Sequence, residues 1–549
     1  MKASDLFVQC LEAEGITRIY GVPGEENADF MLSLEKSGIE FVLTRHEQGA
    51  AFMASVHGRL TGEVGVCLGT LGPGATNLIT GVADGNMDRA PVLVITGQGA
   101  TTRQHKESHQ VMDVVEMYRP VTKWAHAVLG ASNIPEIVRK AVKLATTEKP
   151  GAVHLELAED IAKEEVDAAP LVPAAVRRPV PDEAIMDRVW AALKEAKRPL
   201  IIAGNGTIRK RASKQLRRFC DATGIGVLMT FMAKGAVDMD APYCLYTIGM
   251  GQRDYPMLAI EDADLIVTLG YDMVEYPPRQ WNPQGDKRIV HIDFLPAEVD
   301  ANYTPAVEVV GDLAHALWML NERIEREGAP AYELERQRQV RDTMNEEFAR
   351  CAGDTGTGPI RPQKAIADCR AVLGPRDVLL AGVGAHKMWI ARHYQCHEPG
   401  TCIISNGFCS MGMPLPGAIA ATHALPESRI LAVVGDGDFL MNVQEMETAR
   451  RLDADIAVLV WVDGGYGLIS WKQEQEFDRH TALSFGNPDW EGLARSFGWQ
   501  GSYCDDAGAL QDHLRAALDH PGPALVAMPV DYSENMALTK RLGEIETSF

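Results

Sequence analysis

The sequence predicts an α/β fold made of three doubly wound, parallel-sheet domains. Short apolar strand segments alternate with amphipathic helix patterns along the chain, and continuous apolar strands are typical of parallel sheets buried on both faces. The alternation restarts twice, after a Pro- and Ala-rich stretch at 168–181 and after a Gly- and Thr-rich run at 353–359. At roughly 100–200 residues per domain, a chain of 549 residues accommodates three such units.

We therefore expect an N-terminal domain over residues 1–165, a central domain over 185–340 and a C-terminal domain over 355–535. Apolar runs predict the strands of each domain. In the N-terminal domain they lie at 19–22, 41–43, 64–68, 92–95 and 152–157. In the central domain they lie at 199–203, 263–270 and 289–293. In the C-terminal domain they lie at 377–380, 429–434, 456–462 and 523–528.

Composition and charge exclude several classes of protein. The net charge of −22 disfavours nucleic-acid binding, and the longest basic stretch, 209–218, is typical of an exposed helix face. No apolar run reaches about 18 residues, so we predict no membrane span, and the N-terminus lacks the pattern of a signal peptide. The ten cysteines form no C-x-x-C pair, which predicts reduced core thiols in a cytoplasmic protein.

The most informative motif is Gly435-Asp436-Gly437, which directly follows the predicted strand 429–434. Taken alone, a tight turn capping a helix would give the same pattern. However, Asp463 follows the next predicted strand, 456–462. Two oxygen ligands at the ends of two strands can hold Mg²⁺ against a diphosphate, with a loop carbonyl and phosphate oxygens completing the octahedron. The helix pattern after the glycines supplies main-chain N–H groups for phosphate.

Three further motifs admit more than one interpretation. Glu47, in Arg45-His-Glu-Gln48, follows a predicted strand and starts a helix, where the helix dipole alone favours a carboxylate. The glycine-rich loop at 69–77 could hold phosphate or admit a ring, but it lacks the Gly-Lys-Ser/Thr ending of a P-loop. Gly204-Asn-Gly206 is a lone G-x-G after a strand and favours a structural turn over NAD binding.

Taken together, the motifs resemble the thiamine-diphosphate-dependent enzymes of the acetolactate synthase type over nearly the whole chain. The resemblance implies a pyrimidine-binding, a central and a diphosphate-binding domain. It also implies active sites between two subunits, and hence a homodimer or homotetramer acting on a small 2-keto acid. The matching motifs are Gly21-Val-Pro-Gly24, Arg45–Met53, Gly72-Pro-Gly-Ala-Thr-Asn77, His109-Gln110, Pro120-Val-Thr-Lys123, Gly384-Ala-His386 and Ser410-Met-Gly412, besides those around Gly435 and Asp463.

The resemblance assigns a role to each site residue. Glu47 is similar to the carboxylate that hydrogen-bonds N1′ of the cofactor's aminopyrimidine, and Met411 to the apolar wedge beneath the cofactor. Gln110 and Lys123 resemble residues at the substrate end of the site. Together with Glu47 they form the expected catalytic set. The implied Mg²⁺ ligands are Asp436, Asp463 and Gly465, the last through its carbonyl. The implied cofactor-binding residues are Pro23, Gly24, Glu47, Asn77, Gly384, His386, Cys409, Met411, Gly435, Asp436, Gly437, Asp438, Gly465 and Tyr466.

The function implied by the resemblance is carboligation. Pyruvate is decarboxylated, and the resulting hydroxyethyl carbanion condenses with a second pyruvate to give 2-acetolactate. The alternatives are another 2-keto acid decarboxylase, lyase or acyltransferase of the same superfamily. His109-Gln110 argues against a simple decarboxylase, which commonly carries a His-His pair. A binding protein that kept the fold without catalysis, or a flavin- or NAD-dependent oxidoreductase, has less support.

Three departures from the common family pattern bear on the cofactors and the substrate. Asp463 stands where Asn is usual, as in the catabolic branch, and a carboxylate remains a good Mg²⁺ ligand. Tyr271-Asp-Met-Val274 replaces the Arg-bearing, flavin-contacting segment of the biosynthetic branch, so tightly bound FAD is not expected. The segments Trp471-Lys-Gln473 and Phe408-Cys409 are expected to reshape the pocket, which leaves the preferred donor and acceptor open.

Overall fold

Three six-stranded parallel sheets follow one another along the chain in this computed structural model. The structure describes residues 1–174, 177–208, 212–251 and 253–542. Residues 175–176 of the Pro- and Ala-rich stretch and residues 209–211 of the basic stretch lie outside the described residues. The predicted fold class, three parallel α/β domains, is confirmed.

The N-terminal sheet has the strand order β2-β1-β3-β4-β6-β5. Its strands are β1 Arg18–Gly21, β2 Glu40–Leu43, β3 Gly65–Gly69, β4 Val92–Gln98, β5 Trp124–Ala127 and β6 Ala152–Ala158. Its helices are α1 Ala3–Ala13, α2 Ala28–Leu34, α3 Glu47–Thr61, α4 Pro73–Met87, α5 Val114–Tyr118, α6 Ile134–Thr146 and α7 Glu159–Lys163. Strands β3 and β4 are buried at every position, which explains their unbroken apolar runs.

The central sheet has the order β12-β11-β10-β7-β8-β9, which is the order of a classical dinucleotide-binding sheet. Its strands are β7 Pro199–Ala203, β8 Val227–Met229, β9 Cys244–Thr247, β10 Leu265–Leu269, β11 Ile289–Asp293 and β12 Pro305–Val310. Its helices are α8 Glu183–Glu195, α9 Asn205–Ile208, α10 Ala212–Thr223, α11 Tyr255–Asp262, α12 Pro278–Trp281, α13 Leu313–Glu327 and α14 Glu335–Ala349.

The C-terminal sheet, β14-β13-β15-β16-β18-β17, repeats the strand order of the N-terminal one. Its strands are β13 Val378–Ala381, β14 Cys402–Ile404, β15 Ile430–Gly435, β16 Ile456–Val462, β17 Gln500–Tyr503 and β18 Ala524–Pro529. Its helices are α15 Pro362–Val372, α16 Ala385–His393, α17 Pro414–Ala424, α18 Asp436–Leu440, α19 Glu445–Arg451, α20 Gly467–Phe477, α21 Trp490–Ser496, α22 Leu510–Asp519 and α23 Asn535–Leu542.

The first and third domains of the chain pack directly on each other. Helix α3 lies against α17, and one apolar core contains Ala50 and Met53 from the former together with Leu415 and Ile419 from the latter. Small residues on both helices allow this close approach. The loops at one end of each sheet are therefore held in a fixed relation. No helix among the described residues is long and apolar enough to cross a membrane.

Candidate active site

The ends of β15 and β16 bring two aspartates together. Asp436 begins α18 directly after β15, and Asp463 follows the last residue of β16, its neighbour in the sheet. The Asp436 carboxylate accepts hydrogen bonds from the main-chain N–H of Gly437 (2.8 Å) and of Gly464 (2.7 Å). The side-chain amide of Asn487 donates a third, over 2.7 Å. These donors fix the orientation of the carboxylate at the sheet edge.

Asp436 lies close enough to Asp463 to disturb the ionisation of the Asp463 carboxyl group. Burial, followed by the negative charge of Asp436, raises the pKa of Asp463 to about 7. Asp436 is fully buried, and two carboxylates facing each other are unfavourable unless a cation lies between them. Paired hard oxygen donors are the ligand chemistry that Mg²⁺ takes, so the donor set fits that ion.

A cleft opens over these aspartates. Its lining also includes residues outside the predicted cofactor and metal set, namely Val383, Ala385, Gly467, Leu468, Ile469 and Tyr532. Asn487, also not predicted, lies 51 positions beyond its partner Asp436, so no local motif marks it. The predicted residues that line the cleft are Gly384, His386, Met411, Gly435, Asp436, Gly437, Asp438, Asp463, Gly465 and Tyr466.

Two buried polar atoms in the cleft wall lack a hydrogen-bond partner among the described residues. They are Nε2 of His386 and Oδ2 of Asp438, which lie 3.5 Å apart. The wall around them is made of glycine: a Cβ at Gly382 would fall 1.7 Å from the Asp438 oxygen, and one at Gly435 would fall 3.1 Å from the His386 ring. Buried polar groups of this kind usually have partners. The His386 nitrogen fits an anionic ligand such as a diphosphate, whereas the Asp438 oxygen requires a hydrogen-bond donor or a cation.

The predicted wedge, Met411, is part of the same wall. The main-chain N–H of Gly412 donates to Asp438, and the Gly412 carbonyl accepts a 2.9 Å hydrogen bond from Asn442. Gly412 has φ +86°, a conformation that glycine adopts without strain. The turn that carries Met411 is therefore fixed from its C-terminal side by the segment that follows Gly435.

The N-terminal candidates form a second group at the ends of β1, β2 and β3. Glu47 is the first residue of α3, and its carboxylate accepts a 2.9 Å hydrogen bond from Asn77 of α4. A Cβ at Gly74 would lie 3.4 Å from the other Glu47 oxygen, and one at Gly72 would lie 3.0 Å from Gln110. At the end of β1, the N–H of Gly24 donates to Asn27 over 2.7 Å, and Pro23 beside it is exposed.

None of these N-terminal candidates lines the cleft formed by the C-terminal residues in the part of the chain that the structure describes. Gly72 and Gly74, at the start of α4, leave little room for a side chain, because a Cβ would fall 3.0 Å from Gln110 at the first position and 2.8 Å from Thr70 at the second. The structure therefore contains two half-sites, one with Glu47 and one with the paired aspartates.

A buried carboxylate from the third domain holds the helix end that presents Glu47. Glu445 of α19 accepts hydrogen bonds from the main-chain N–H of Arg45 (3.1 Å) and of His46 (3.0 Å). Its side chain lies so near α3 that a Cβ at Gly49 would fall 2.8 Å from it. Sequence reasoning missed Glu445, because its partners are some 400 positions away.

Comparison with known proteins agrees with this geometry. Three models of the thiamine pyrophosphate enzyme family match the chain: the N-terminal TPP-binding domain at 1–117, the central domain at 186–320 and the C-terminal TPP-binding domain at 382–528. The chain is 36% identical to the catabolic acetolactate synthase of Raoultella terrigena, over 98% of this chain and 97% of that protein. The chain belongs to the thiamine-diphosphate-dependent acetolactate synthase family.

Other members of the family are similar over comparable lengths. The acetolactate synthase of Bacillus subtilis is 32% identical, over 99% of this chain and 96% of that protein. The chloroplastic acetolactate synthase of Arabidopsis thaliana is 30% identical, over 97% of this chain and 82% of that protein. The resemblance inferred from motifs is thus confirmed, and the chain is an enzyme of the acetolactate synthase type with thiamine-diphosphate-binding domains.

Two residues of this acetolactate synthase family member that were expected near the substrate have other contacts in the structure. The ammonium of Lys123 donates to the carbonyls of Leu144, Thr147 and Lys149 over 2.5, 2.8 and 2.8 Å. These bonds use all its protons to cap the end of α6, so its setting is that of a helix-capping residue and does not support a place at the substrate.

The side chain of Trp471, expected in the substrate lid, points away from the cleft. It is 3% exposed and donates a 2.7 Å hydrogen bond to Thr539 of α23. Helical periodicity explains this, because Leu468 and Trp471, three residues apart, share the buried face of α20. Ile469 is exposed, and it lines the cleft together with Leu468, whereas Trp471 does not.

Cys409, which precedes the wedge by two residues, has the unusual φ of +57°. Its thiol donates to the carbonyl of Asn406 over 2.9 Å and accepts from the buried ammonium of Lys387 at the same distance. Burial raises the pKa of this thiol above its usual value. Cys409 does not line the cleft of its own chain among the described residues.

Proposed function

We propose that this enzyme decarboxylates pyruvate and joins the product to a second pyruvate, forming 2-acetolactate, with thiamine diphosphate and Mg²⁺ as cofactors. The observation that carries the proposal is the cleft, where paired carboxylates, a glycine-built wall and orphaned polar atoms coincide in a chain similar to acetolactate synthases over its full length. The catabolic relative at 36% identity favours this reaction over the simple decarboxylase, lyase and acyltransferase alternatives.

The proposed cofactor site uses residues of the cleft. Asp436 and Asp463, with the carbonyl of Gly465, hold Mg²⁺, and His386 with the glycine-rich wall holds the diphosphate. Met411, in the wall of the same cleft, would pack against the cofactor. Thiamine diphosphate supplies the acidic carbon on which 2-keto acids lose CO₂. The apolar side of the cleft, with Leu468 and Ile469, keeps water away from this centre.

Glu47 is proposed to hold a proton against a ring nitrogen of the cofactor. Asn77 fixes one of its oxygens, at 2.9 Å, so the other, beside Gly74, is oriented for the ring. A carboxyl group shared with a ring nitrogen shifts the proton balance of the aminopyrimidine, which is general acid–base catalysis by a positioned side chain. Gln110, packed on Gly72, is proposed to lie at the substrate end of the same half-site.

The central domain is proposed to bind no flavin. In sheets of this strand order a dinucleotide lies between the two strands where the order reverses, here β7 and β10. That crevice is closed, because a Cβ at Gly204 would fall 2.5 Å from Gly270 and Tyr271. The first amides of α9 are also engaged: Asn205 N–H donates to Glu275 over 2.9 Å and Gly206 N–H to Gly270 over 2.9 Å.

A second copy of the chain is proposed to complete the active site, as a homodimer or homotetramer. The separation of the Glu47 half-site from the cleft supports this. So do Phe408 and Met441, apolar side chains near the wedge that are 47% and 43% exposed, because exposed apolar surface marks interfaces. The division into domains at 1–165, 185–340 and 355–535, and a cytoplasmic location consistent with ten free cysteines, belong to the same proposal.

The test is pyruvate turnover with thiamine diphosphate and Mg²⁺, with CO₂ followed and the product converted by acid to acetoin. Acetolactate formed in stoichiometric ratio to CO₂, one to one, is the expected result. Free acetaldehyde would assign the protein to the decarboxylases. If bound cofactor is demonstrated and pyruvate is not consumed, the donor is another 2-keto acid. An absorption spectrum tests for flavin, and size-exclusion chromatography tests for the dimer or tetramer.

A further inference from the structure

Two buried aspartates of the N-terminal domain hold a loop of the C-terminal domain. Asp88, the residue after the last of α4, accepts hydrogen bonds from the main-chain N–H of Asn406 (3.2 Å) and of Gly407 (2.7 Å). Arg59 of α3 joins the contact, with one nitrogen 3.0 Å from Asp88 and 2.9 Å from the carbonyl of Ile404. The end of β14 and the residues after it are thus tied to α3 and α4.

The second aspartate, Asp84, lies one helical turn earlier and holds the other end of the same loop. Its carboxylate accepts the hydroxyl of Ser405 and, over 3.2 Å, the main-chain N–H of Ser410. The Ser405 hydroxyl also accepts from Ser410 N–H, over 3.1 Å. Both aspartates are 1% exposed. Two carboxylates therefore receive three main-chain donors of one loop, which we call the 405–410 loop.

The conformation of the 405–410 loop needs such support. A non-glycine residue with positive φ, as at Cys409, carries strain that the surroundings must offset. At Gly407 the loop presses so closely on the end of α4 that a Cβ would lie 3.0 Å from Met87 and 3.1 Å from Asp88. The shape of the loop is therefore imposed by another domain.

We propose that Asp84 and Asp88 are positioning residues that set the depth at which Met411 enters the cofactor site. Met411 directly follows the loop, so it is held on both sides: Ser410 by Asp84, and Gly412 by Asp438. The inference rests on the proposed role of Met411 beneath thiamine diphosphate. A shift of the loop by a fraction of an ångström would tilt the cofactor, and small misplacements cost catalysis heavily.

The electrostatic setting is consistent with this role. Burial, and next the charge of Asp88, raises the pKa of Asp84 to about 7, while Ser405, Ser410 and Arg59 oppose the rise. Burying the Asp84 carboxylate in the folded protein is unfavourable, and the hydrogen bonds from Ser405 and Ser410 of the loop offset part of that cost. The loop and the aspartates thus depend on one another.

The experiment compares Asp84→Asn and Ser405→Ala with Asp368→Asn. The last is a matched control, because Asp368 is also a buried aspartate, paired with Lys364 at 2.7 Å on α15, and it does not contact the loop. For each full-length protein we would measure kcat and KM for pyruvate, the thiamine diphosphate dissociation constant by tryptophan quenching, thermal unfolding, and the near-ultraviolet circular dichroism of the bound aminopyrimidine.

We expect Asp84→Asn to lower kcat about tenfold to a hundredfold, with KM for pyruvate within about twofold, and to change the dichroism of the bound cofactor. Ser405→Ala should also lower kcat and change the dichroism. If Asp84→Asn fails to fold, Ser405→Ala is the variant that tests the positioning role. Variants that lose thermal stability as the control does, with unchanged kcat and dichroism, would overturn the inference. If the wild type makes no acetolactate, the proposed function fails, while cofactor affinity and dichroism still test the positioning.

Discussion

Two pairs of aspartates in this protein meet the same electrostatic problem in different ways. Asp436 and Asp463 come from the ends of neighbouring strands, 27 positions apart, and face an open cleft. Asp84 and Asp88 are one helical turn apart and are enclosed by protein. In each pair burial and the neighbouring charge raise one pKa, that of Asp463 or Asp84, to about 7.

The difference lies in what satisfies the carboxylates. The enclosed pair has Arg59, a serine hydroxyl and three main-chain N–H donors. The open pair also has donors, from Gly437, Gly464 and Asn487 to Asp436, but it faces a cleft that contains orphaned polar atoms of His386 and Asp438. A raised pKa of the same direction therefore accompanies a candidate ligand site in one place and a contact between domains in the other. The raised pKa alone does not distinguish the two pairs; the open cleft beside one of them does.

The largest effect on activity is expected at Glu47. One oxygen of its carboxylate accepts a hydrogen bond from Asn77, and the other lies beside Gly74, where the cofactor ring is proposed to bind. Glu47→Gln should lower kcat about 10²–10⁴-fold, because an amide cannot share a proton with the cofactor ring. Thermal unfolding should change little, since the amide can still accept from Asn77. Steady-state turnover with saturating cofactor measures this. Near wild-type kcat would contradict the proposed role, and Gln48→Glu in the Glu47→Gln background is the control for displaced charge.

The open pair should respond unequally to the same substitution. Asp436→Asn should weaken Mg²⁺-dependent cofactor binding about 10–100-fold, because it disturbs a carboxylate that receives Gly437, Gly464 and Asn487. Asp463→Asn should cost less than about tenfold, since an amide oxygen remains a ligand and the like-charge contact disappears. Isothermal titration of thiamine diphosphate at fixed Mg²⁺ tests both. Equal losses would mean that the two carboxylates do not differ in role.

The raised pKa of Asp84, in the enclosed pair, should make the stability of the protein depend on pH. A carboxyl whose pKa is raised on folding adds stability below its unfolded pKa of 3.8, and this is lost as pH rises through about 7. The unfolding free energy of the wild type minus that of Asp84→Asn should therefore fall between about pH 4 and 7, by about 1.4 kcal/mol per pH unit at most. The groups facing Asp84 are Asp88, Arg59, Ser405 and Ser410.

Urea unfolding at several pH values measures this difference, with Asp238→Asn, at a half-exposed carboxylate, as the surface control. A difference that stays flat or rises across that range would contradict the raised pKa. The comparison of the two pairs would then rest on hydrogen bonds alone.

The smallest effect on activity is expected at Lys123, an exposed residue whose ammonium contacts three carbonyls. Lys123→Met should leave kcat and KM for pyruvate within about twofold, and it should lower the unfolding free energy by less than about 1 kcal/mol, because water can reach the carbonyls. Arg119→Met, at an exposed cation on the same segment, is the control. A selective loss of pyruvate affinity would restore Lys123 to the substrate site.

By itself the sequence determined the fold class, the family and a group of predicted residues that line one cleft. These were predictable because apolar runs report burial in parallel sheets, and because Gly435-Asp436-Gly437 and Asp463 lie directly at strand ends. Ten predicted residues share one cleft for that reason. Local patterns carry such information without any knowledge of distant contacts.

Only the tertiary structure decided how the domains hold one another. Glu445 accepts hydrogen bonds from the start of α3, and Asp84 and Asp88 accept them from the 405–410 loop. Asn487 donates to Asp436 and orients it. The tertiary structure also places Trp471 against α23 and Lys123 at the end of α6. Each of these contacts joins residues that are remote in sequence. The sequence shows the chemistry of each side chain but not its partner, because burial and pairing arise only when the sheets pack.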